Sequence, residues 1–379
     1  MPPECWKTAT LGDYAKVIMG QSPESQYYTT DCNNMPFLQG NRTFGSKYPS
    51  FDTYTTKVTK LAPKGSVIIS VRAPVGDTNV APSELCLGRG VAALQSEDPD
   101  NEFLYYLVKS LVPLMNQNEN GSTFGSINRT DLEKLPIDLP DYEERYKIGQ
   151  VLSALDSKIE LNQQINANLL QQSKAIFEQL VVKTNERTEL SLTDIANFQN
   201  GLAMQKNRPI EDNWLPVLKI KELGQGYCDE SSERCRSDLD ESVLIHDGDV
   251  VFSWSGSLMS KIWCGGDAGL NQHLFKVTSS DYPLWFYYCW LQYHIPNFID
   301  IAANKATTMG HICRNHLEDA IVWKPNEEVM KKVDQTLSPL FDQYIALSIE
   351  SKKLSCLRDY LLPKLISGEI DVSNLPLPN

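Results

Sequence analysis

The sequence predicts a mixed α+β fold made of two similar globular α/β domains, each followed by a long helix. An internal repeat is the first observation behind this prediction, because residues 121–140 align without a gap on residues 306–325 and match at seven positions. Weaker matches upstream include Gly20 with Gly201. The hydrophobic period is the second observation, because short runs of strand type give way twice to long runs of helix type. Two diverged copies of one module indicate a pseudo-two-fold internal repeat.

The first globular domain is predicted to span residues 1–140. Short apolar runs of strand type occur at residues 67–71 and 91–94, separated by Gly, Pro and Asn, and one amphipathic helix is predicted near residues 102–117. The second globular domain, predicted at residues 184–325, repeats this order. Its predicted elements are strands at residues 216–220, 250–254 and 274–277 and a helix near residues 284–303.

Each domain is followed by a stretch in which apolar residues recur every three or four positions, the spacing of a coiled-coil seam. We therefore predict a first spacer helix at residues 141–183 and a second at residues 326–370, followed by a C-terminal tail at residues 371–379. Gly368 is the stop signal of the second helix, whereas Pro339 is expected to kink its first turns. Helices of about 60 Å should pair antiparallel, because the chain runs out along one and returns along the other. Burial of each helix in an ordinary bundle is the alternative.

Composition disfavours several classes of protein. No apolar run reaches the roughly eighteen residues of a membrane span, and the first residues lack a secretory signal, which predicts a cytoplasmic protein without membrane contact. The nine cysteines are scattered without a Cys-x-x-Cys pair, as expected of reduced thiols and not of zinc ligands. The sequence has no phosphate-binding loop, so we predict no motor activity. We also predict no metal and no cofactor.

The net charge of −13 argues against a protein that binds nucleic acid alone, because affinity comes largely from Lys and Arg beside phosphate. Residues 1–140 carry 12 basic and 15 acidic side chains, and residues 184–325 carry 12 and 19. Eight acidic residues of the second domain lie within residues 229–249. A recognition subunit of a larger assembly is compatible with this balance, since partner proteins can supply phosphate contacts.

Six segments carry a family resemblance through their order along the chain. They are residues 11–23, 36–45, 69–77, 88–94, 155–166 and 357–370. Together they resemble the DNA specificity subunit of type I restriction-modification enzymes. The resemblance implies two target recognition domains, each reading one half of a split, asymmetric target in double-stranded DNA. It also implies that the helices set the spacing and dock two methyltransferase subunits, which restriction (motor-nuclease) subunits join. No chemistry is expected of such a subunit itself.

Base reading requires Arg or Lys opposite guanine and Asn or Gln opposite adenine, presented from loops that reach a groove. In the first domain the candidate DNA-binding residues are Asn41, Arg42, Arg72, Arg89, Ser122, Thr123 and Asn128. In the second domain they are Lys206, Arg208, Lys219, Lys221, Lys261, Gln272, His273, Thr307, Thr308 and His311. Arg129 and Arg314 are shared by the two copies, so we expect them to contact phosphate or to support the fold. For any single residue the alternative is a solvated surface side chain.

Three patterns could suggest catalysis or metal binding, and each has a simpler explanation. Residues 34–37 only loosely resemble the motif with which amino-methyltransferases hold adenine, and a turn before a strand explains them. Asp156 lies on a predicted coiled-coil helix, where it cannot converge with the rest of a nuclease motif. His311 and His316 flank Cys313, but the first copy has no such cluster. An enzyme is thus disfavoured, and a coiled-coil interaction scaffold without a DNA-reading role is the alternative function.

Overall fold

The computed structural model describes residues 3, 5–98, 101–117, 125–210, 212–304 and 310–375. The chain divides into two compact units. Unit 1 comprises Met1–Ser157 with Ser355–Asn379, and unit 2 comprises Lys158–Leu354. Both units are mixed α and β, so the predicted fold class is confirmed. None of the described helices combines enough length and apolar character to cross a membrane.

Unit 1 is built from short strands that form three sheets among its described residues. Its strands are β1 (Lys7–Thr10), β2 (Ala15–Met19), β3 (Tyr28–Thr29), β4 (Met35–Leu38), β5 (Tyr54–Thr55), β6 (Leu61–Ala62), β7 (Val67–Ser70), β8 (Thr78–Val80), β9 (Leu85–Leu87), β10 (Val91–Ser96) and β11 (Pro136–Leu139). Its helices are α1 (Leu11–Tyr14), α2 (Glu102–Gln117) and α3 (Arg129–Glu133), after which the chain enters α4 (Tyr142–Phe177). The strand orders are β2-β10-β7-β8, β3-β5-β4-β9-β6 and β1-β11.

Unit 2 repeats this architecture. Its strands are β12 (Arg187–Ser191), β13 (Asn197–Asn200), β14 (Trp214–Leu218), β15 (Arg234–Arg236), β16 (Leu244–Ile245), β17 (Val250–Ser253), β18 (Met259–Ile262), β19 (Ala268–Leu270), β20 (Leu274–Thr278) and β21 (Ile321–Pro325). Its helices are α5 (Leu192–Ile195), α6 (Ile220–Gln225), α7 (Leu284–Asn304) and α8 (Arg314–Glu318), and the chain then enters α9 (Glu327–Ile366). The order β13-β20-β17-β18 reproduces β2-β10-β7-β8, and β12-β21 reproduces β1-β11.

The central strands explain why the apolar runs in the sequence are continuous. In β7, Val67 and Ile69 are buried in one hydrophobic cluster with α2, whereas Ile68 is buried in another cluster with Leu38 and Leu87. Alternate side chains of a strand point to opposite faces of the sheet. A strand that is covered on both faces therefore reads as an unbroken apolar run. β17 of unit 2 is divided between two clusters in the same way.

The segments of α4 and α9 that belong to unit 2 run antiparallel, as predicted. The side-chain amide of Asn162 in α4 donates to Glu350 in α9 at 2.7 Å. One turn further along α4, the amide of Asn166 donates to Ser348 at 2.8 Å. Residue numbers rise along one helix while those of their partners fall along the other, which defines an antiparallel pair.

The segments of α4 and α9 that belong to unit 1 meet through a charged contact. Asp156 of α4 accepts hydrogen bonds from Arg358 of α9 at 2.6 Å and from the hydroxyl of Tyr106 in α2 at 2.7 Å. Ile148 and Leu152 of α4 are fully buried in the same hydrophobic cluster as α2. The start of this helix is therefore part of a globular core, and the bundle alternative holds for that part.

The long helices differ from the prediction at their ends. α4 stops at Phe177 and is followed by a π-helical segment, Glu178–Val182. α9 continues without interruption across Pro339. Gly368, two residues beyond the last residue of α9, has a φ of +71°, which suits the stop signal seen in the sequence.

Candidate nucleic-acid interface

Two parallel strands in unit 1 bring two of the candidate loops together. β4 and β9 are paired in parallel, with Leu38 opposite Leu87, so the chain leaves both strands at the same edge of the sheet. Beyond the strands, the backbone N–H of Gly88 donates to the carbonyl of Leu38 at 2.7 Å. The backbone N–H of Gly90 then donates to the carbonyl of Gln39 at 3.0 Å. The loop that carries Asn41 is therefore held beside the loop that carries Arg89.

Two further segments join this edge after β7. The backbone N–H of Val71 donates to the carbonyl of Gly90 at 2.9 Å, and that of Ile127 donates to the carbonyl of Val71 at 3.1 Å. Arg72 and Ser126 form an isolated antiparallel bridge. Edge 1, as we call this surface, consists of residues 39–41, 71–72, 88–90 and 126–128. It unites four segments that are far apart in the sequence.

Unit 2 forms a corresponding edge, with counterparts of three of these backbone hydrogen bonds. β14 and β19 are parallel, and the N–H of Asn271 donates to the carbonyl of Leu218 at 3.1 Å. The N–H of Trp254 faces the carbonyl of His273 at 3.4 Å, and the N–H of Ile312 donates to the carbonyl of Trp254 at 3.0 Å. Ser255 and His311 form the isolated bridge that corresponds to Arg72 and Ser126. Edge 2 consists of residues 219–221, 254–255, 271–273 and 311–313.

Close backbone packing distinguishes edge 1. A Cβ atom at Gly90 would lie 2.4 Å from the carbonyl oxygen of Gln39, and one at Gly88 would lie 2.6 Å from the Cα of Gln39. Neither neighbour is a flexible side chain, so this part of edge 1 requires glycine on both sides of Arg89. At the corresponding positions edge 2 has Asn271 and His273, which shows that its backbones are less tightly packed.

Arg72 and Arg89 are the candidates of unit 1 whose side chains remain available. Both are exposed, and neither forms an ion pair with any residue that the structure describes. The backbone N–H of Arg89 is anchored to the hydroxyl of Ser22 at 3.1 Å, which fixes the loop and leaves the guanidinium free. An unpaired guanidinium in a chain of net charge −13 is a donor without an internal acceptor.

The other described candidates of unit 1 are already hydrogen-bonded. Asn41 donates to Asp77 at 2.5 Å, and Arg42 forms an exposed ion pair with Asp52 at 2.7 Å. That carboxylate's pKa lies below its usual range because it accepts from Arg42. Asn128 caps α3, where its side-chain oxygen accepts from the backbone of residue 131 at 3.1 Å. Ser122 and Thr123 lie outside the described residues.

Edge 2 carries an aromatic and amide cluster in place of the two arginines. Nδ1 of His273 lies 3.1 Å from the hydroxyl of Ser255, and the amide nitrogen of Gln272 lies 3.3 Å from Nε2 of His273. The ring of Trp254 is 5.8 Å from that of His273 and 6.4 Å from that of His311. Sequence reasoning missed Trp254 as a member of this surface. Its position after the strand that corresponds to β7 was the signal that could have found it.

The lysines predicted in unit 2 are mostly engaged by neighbours. Lys219 pairs with Glu233 at 2.8 Å, and Lys221 lies 3.3 Å from Asp229. Both acidic partners belong to the acidic segment noted in the sequence. Lys261 donates to a backbone carbonyl at 2.5 Å, and burial lowers the pKa of its amine. The acidic segment thus neutralises two of the candidate DNA contacts, Lys219 and Lys221.

Lys206 and Arg208 are exposed and form no ion pair with a described residue. They follow Leu202, whose carbonyl accepts from the backbone N–H of Gln272 at 2.9 Å, so their segment starts beside edge 2. Thr307 and Thr308 lie outside the described residues. The contact of Lys206, Arg208 or any other candidate with DNA stays a prediction.

Arg129 and Arg314, the shared arginines, line equivalent clefts away from the loop tips. Arg129 pairs with Glu133 at 2.7 Å and lines a cleft with Asp13 and Asp98, among other residues. Arg314 lines a cleft in unit 2 whose other walls are residues 193–198 and 278–281. The segments around each arginine correspond in the two units. This similarity agrees with a role for Arg129 and Arg314 in supporting the fold.

The patterns that could have suggested catalysis have structural roles. Asp156 is occupied by Arg358 and Tyr106, as described above. Nδ1 of His316 accepts from the backbone N–H of Cys313 at 3.0 Å and so caps α8. Within the described part of the chain, no group of three or more side chains is arranged to hold a metal ion.

Comparisons with known proteins all point to similarity with type I restriction-modification specificity subunits. The family model described as type I restriction modification DNA specificity domain matches residues 3–171. MjaX of Methanocaldococcus jannaschii, a putative type I restriction enzyme specificity subunit, is 40% identical over 183 residues, which cover 47% of this chain and 43% of that relative. The alignment thus spans less than half of that relative's length. The MjaIX specificity subunit of the same organism is 24% identical over 420 residues, covering 98% of this chain and 95% of the relative.

A solved structure is similar over nearly the whole chain. The crystal structure of the type I restriction-modification system S subunit from M. genitalium has a TM-score of 0.61 and 18% identity, and the match covers 95% of this chain and 96% of that one. At this level of identity the similarity concerns the fold.

Proposed function

We propose that the chain is a type I restriction-modification DNA specificity subunit and that it reads a split, asymmetric DNA target. Each of edges 1 and 2 binds one half-site. The observation that carries this proposal is the repetition of one four-segment backbone edge with different side chains. A module that is duplicated for support alone has no reason to vary at its loop tips and keep their backbone.

The side chains at the two edges suit direct readout. A guanidinium can donate two hydrogen bonds to guanine, and a glutamine amide can donate and accept at adenine, with about 1–3 kcal/mol of discrimination for each good pair. Edge 1 offers the exposed Arg72 and Arg89, and edge 2 offers the half-buried Gln272. Because these sets differ, the two half-sites differ and the target is asymmetric.

The acidic balance of the chain requires partners. We propose that two methyltransferase subunits dock on the outer faces of α4 and α9, that restriction subunits join this core, and that partners supply many of the phosphate contacts. The chain itself performs no catalysis and acts on cytoplasmic DNA. Its domains in this scheme are target recognition domains at residues 1–140 and 184–325, spacer helices at 141–183 and 326–370, and a tail at 371–379.

A coiled-coil scaffold without a DNA-reading role is the alternative function. It accounts for α4 and α9 but gives no reason for two matched edges that carry exposed Arg72 and Arg89 in one unit and half-buried Gln272 in the other. The comparisons do not favour it either, since the matched family model and the relatives are named for DNA specificity.

Modification mapping tests the proposal directly. The chain is expressed with and without its methyltransferase subunit in a host free of adenine methylation, and N6-methyladenine is mapped across the genome. We expect one split, asymmetric motif that appears only when both proteins are present. Methylation without this chain, or in no arm although a purified complex of both proteins forms, would favour the scaffold.

A further inference from the structure

Arg89 occupies a backbone position in edge 1 that is fixed from both sides. The residue before it, Gly88, donates its N–H to Leu38 at 2.7 Å, and the residue after it, Gly90, accepts at its carbonyl from Val71 at 2.9 Å. The intervening residue is therefore held at the tip of a clamped loop. Its side chain is exposed and has no ion pair among the described residues.

Gln272 occupies the same backbone position in edge 2. The residue before it, Asn271, donates its N–H to Leu218 at 3.1 Å, and the carbonyl of the residue after it, His273, faces the N–H of Trp254 at 3.4 Å. These are the counterparts of the two contacts that fix Arg89. The sequence agrees with this match, because the interval between the two residues (272 − 89 = 183) is the one that separates Gly65 from Gly248 and Ser70 from Ser253.

The chemistry of these two residues differs in the way that base selectivity requires. Arginine presents parallel donors that match the O6 and N7 acceptors of guanine, whereas glutamine presents one donor and one acceptor that match N7 and N6 of adenine. A phosphate contact made by both copies would favour a cation at this position in each of them. The clamped position has a cation in only one copy, while Arg129 and Arg314 show that a cation can be kept in both.

We propose that Arg89 and Gln272 are matched base-reading residues, one for each half-site, with Arg89 selecting guanine and Gln272 selecting adenine. This inference rests on the proposed function and refines it, because it assigns one base type to one position of each edge. It also predicts that selectivity can be transferred between the edges at this position without moving the backbone.

Reciprocal substitutions test the assignment in the intact complex. Arg89→Gln and Gln272→Arg are each expressed with the methyltransferase subunit, and the methylated motifs are mapped. Arg89→Gln should lower methylation of the original first half-site about tenfold or more and raise that of sites with adenine in place of one guanine. Its second half-site should be unchanged. Gln272→Arg should do the reverse, exchanging one adenine of the second half-site for guanine.

Two further variants keep the outcome interpretable. Lys64→Gln removes a positive charge from the exposed turn at the opposite end of β7 and should leave both half-sites unchanged. Arg89→Lys keeps a donor for guanine and should retain the original motif at a lower level. The assignment is overturned if Arg89→Gln keeps the wild-type motif, or if it lowers methylation equally at all sequences while Arg89→Lys does the same. If the wild-type complex itself gives no split motif, the proposed function fails and not merely this assignment.

Discussion

Edges 1 and 2 have the same backbone and different side chains. Each edge is built from a parallel strand pair, three corresponding backbone hydrogen bonds and an isolated bridge. The matched pairs are Arg72 with Ser255, Arg89 with Gln272, and Ser126 with His311. This difference shows that the main chain of these residues sets the shape of the edge, whereas their side chains would set which bases it selects. Hydrogen bonds of the main chain hold the loops, so their side chains can diverge without loss of fold.

A second difference between the units concerns charge. Edge 1 presents two guanidinium groups without an ion pair among the described residues, whereas Lys219 and Lys221 of edge 2 are paired with the acidic segment. All five histidines of the chain also lie in unit 2. If the shared backbone supports both edges, substitutions that disturb it should destabilise the two units equally. Substitutions of charged residues should affect the stability of one unit only.

The largest effect is expected at the glycine shared by the two scaffolds. A Cβ atom at Gly20 would lie 2.0 Å from the carbonyl oxygen of Gly88, and one at Gly201 would lie 2.3 Å from that of Leu270. Because backbone atoms cannot move aside cheaply, Gly20→Ala should lower the free energy of unfolding of unit 1 by more than about 3 kcal/mol and abolish the first half-site. Gly201→Ala should do the same to unit 2. Local hydrogen exchange of each unit measures both effects.

Gly40→Ala is the matched control for these variants. Nothing lies within 4 Å of a Cβ atom at Gly40, although the residue belongs to edge 1. Its exchange rates should resemble those of the wild type. Equal tolerance of Gly20→Ala and Gly40→Ala would mean that the two edges do not depend on the close approach of their backbones.

Arg358→Ala should have the next largest effect, and only in unit 1. It leaves Asp156, whose side chain is 12% exposed, without its cation. Removing one partner of a largely buried ion pair should lower the free energy of unfolding by about 2–3 kcal/mol. Urea unfolding combined with local exchange gives the size of the loss and its place. Arg42→Ala breaks a pair whose side chains are 74% and 51% exposed and should cost less than about 1 kcal/mol. Equal losses in the two variants would contradict the role given to burial.

The hydrophobic pattern of the sequence predicted helices well where the residues that define them are neighbours in the chain. The helix expected at residues 102–117 is α2 (Glu102–Gln117), and the helix expected near residues 284–303 is α7 (Leu284–Asn304). In both, the first turns are a run of apolar and aromatic residues that are buried one after another, so the signal lies in neighbouring residues. The first long helix was expected to end at residue 183; α4 ends at Phe177, and the π-helical segment Glu178–Val182 continues it nearly to that bound.

The candidate site was harder to predict because its contacts are distant in sequence. No local rule shows that Asn41 would bond to Asp77 or that Lys219 would pair with Glu233. Chemistry alone selected Arg89 correctly as an exposed side chain at the edge. Its match with Gln272 rests on the corresponding backbone contacts of the residues on either side, which bring together distant segments of each copy. DNA contact by either residue stays a prediction until the motifs are mapped.

A smaller effect, of opposite sign, is expected where α4 meets α9 in unit 2. Asn162 is fully buried, and its side-chain oxygen has no hydrogen-bond partner among the described residues. Asn162→Leu removes this unsatisfied acceptor and should raise the free energy of unfolding of unit 2 by about 1 kcal/mol. Glu350 keeps Lys158 as a partner at 3.3 Å. Gln163→Leu, at the exposed neighbouring position, should change stability by less than about 0.5 kcal/mol. A loss of stability in Asn162→Leu would mean that its amide contact outweighs the unsatisfied oxygen.

The smallest effect is a pH dependence confined to unit 2. The ring of His246 lies 2.8 Å from Asp267 and 2.9 Å from Glu241, and its pKa is raised mainly by the hydrogen bond with Asp267. A raised pKa in the folded state means that the protonated ring stabilises unit 2. That contribution is complete below the unfolded value of about 6.5 and is lost as the pH rises through the folded value. Burial lowers the pKa of His294, which acts in the opposite direction.

The contribution of His246 is separated from that of His294 by comparing the wild type with a variant that lacks only His246. The free energies of unfolding of the wild type and His246→Gln should differ by at most about 0.5 kcal/mol at pH 5, because the ring is 42% exposed and solvent screens its ion pairs. The difference should vanish by pH 9, where both proteins lack the charge. Exchange in unit 1 should not respond to the substitution at any pH. A difference that grows with pH, or one that is equal in both units, would contradict the assignment of this charge to unit 2 alone.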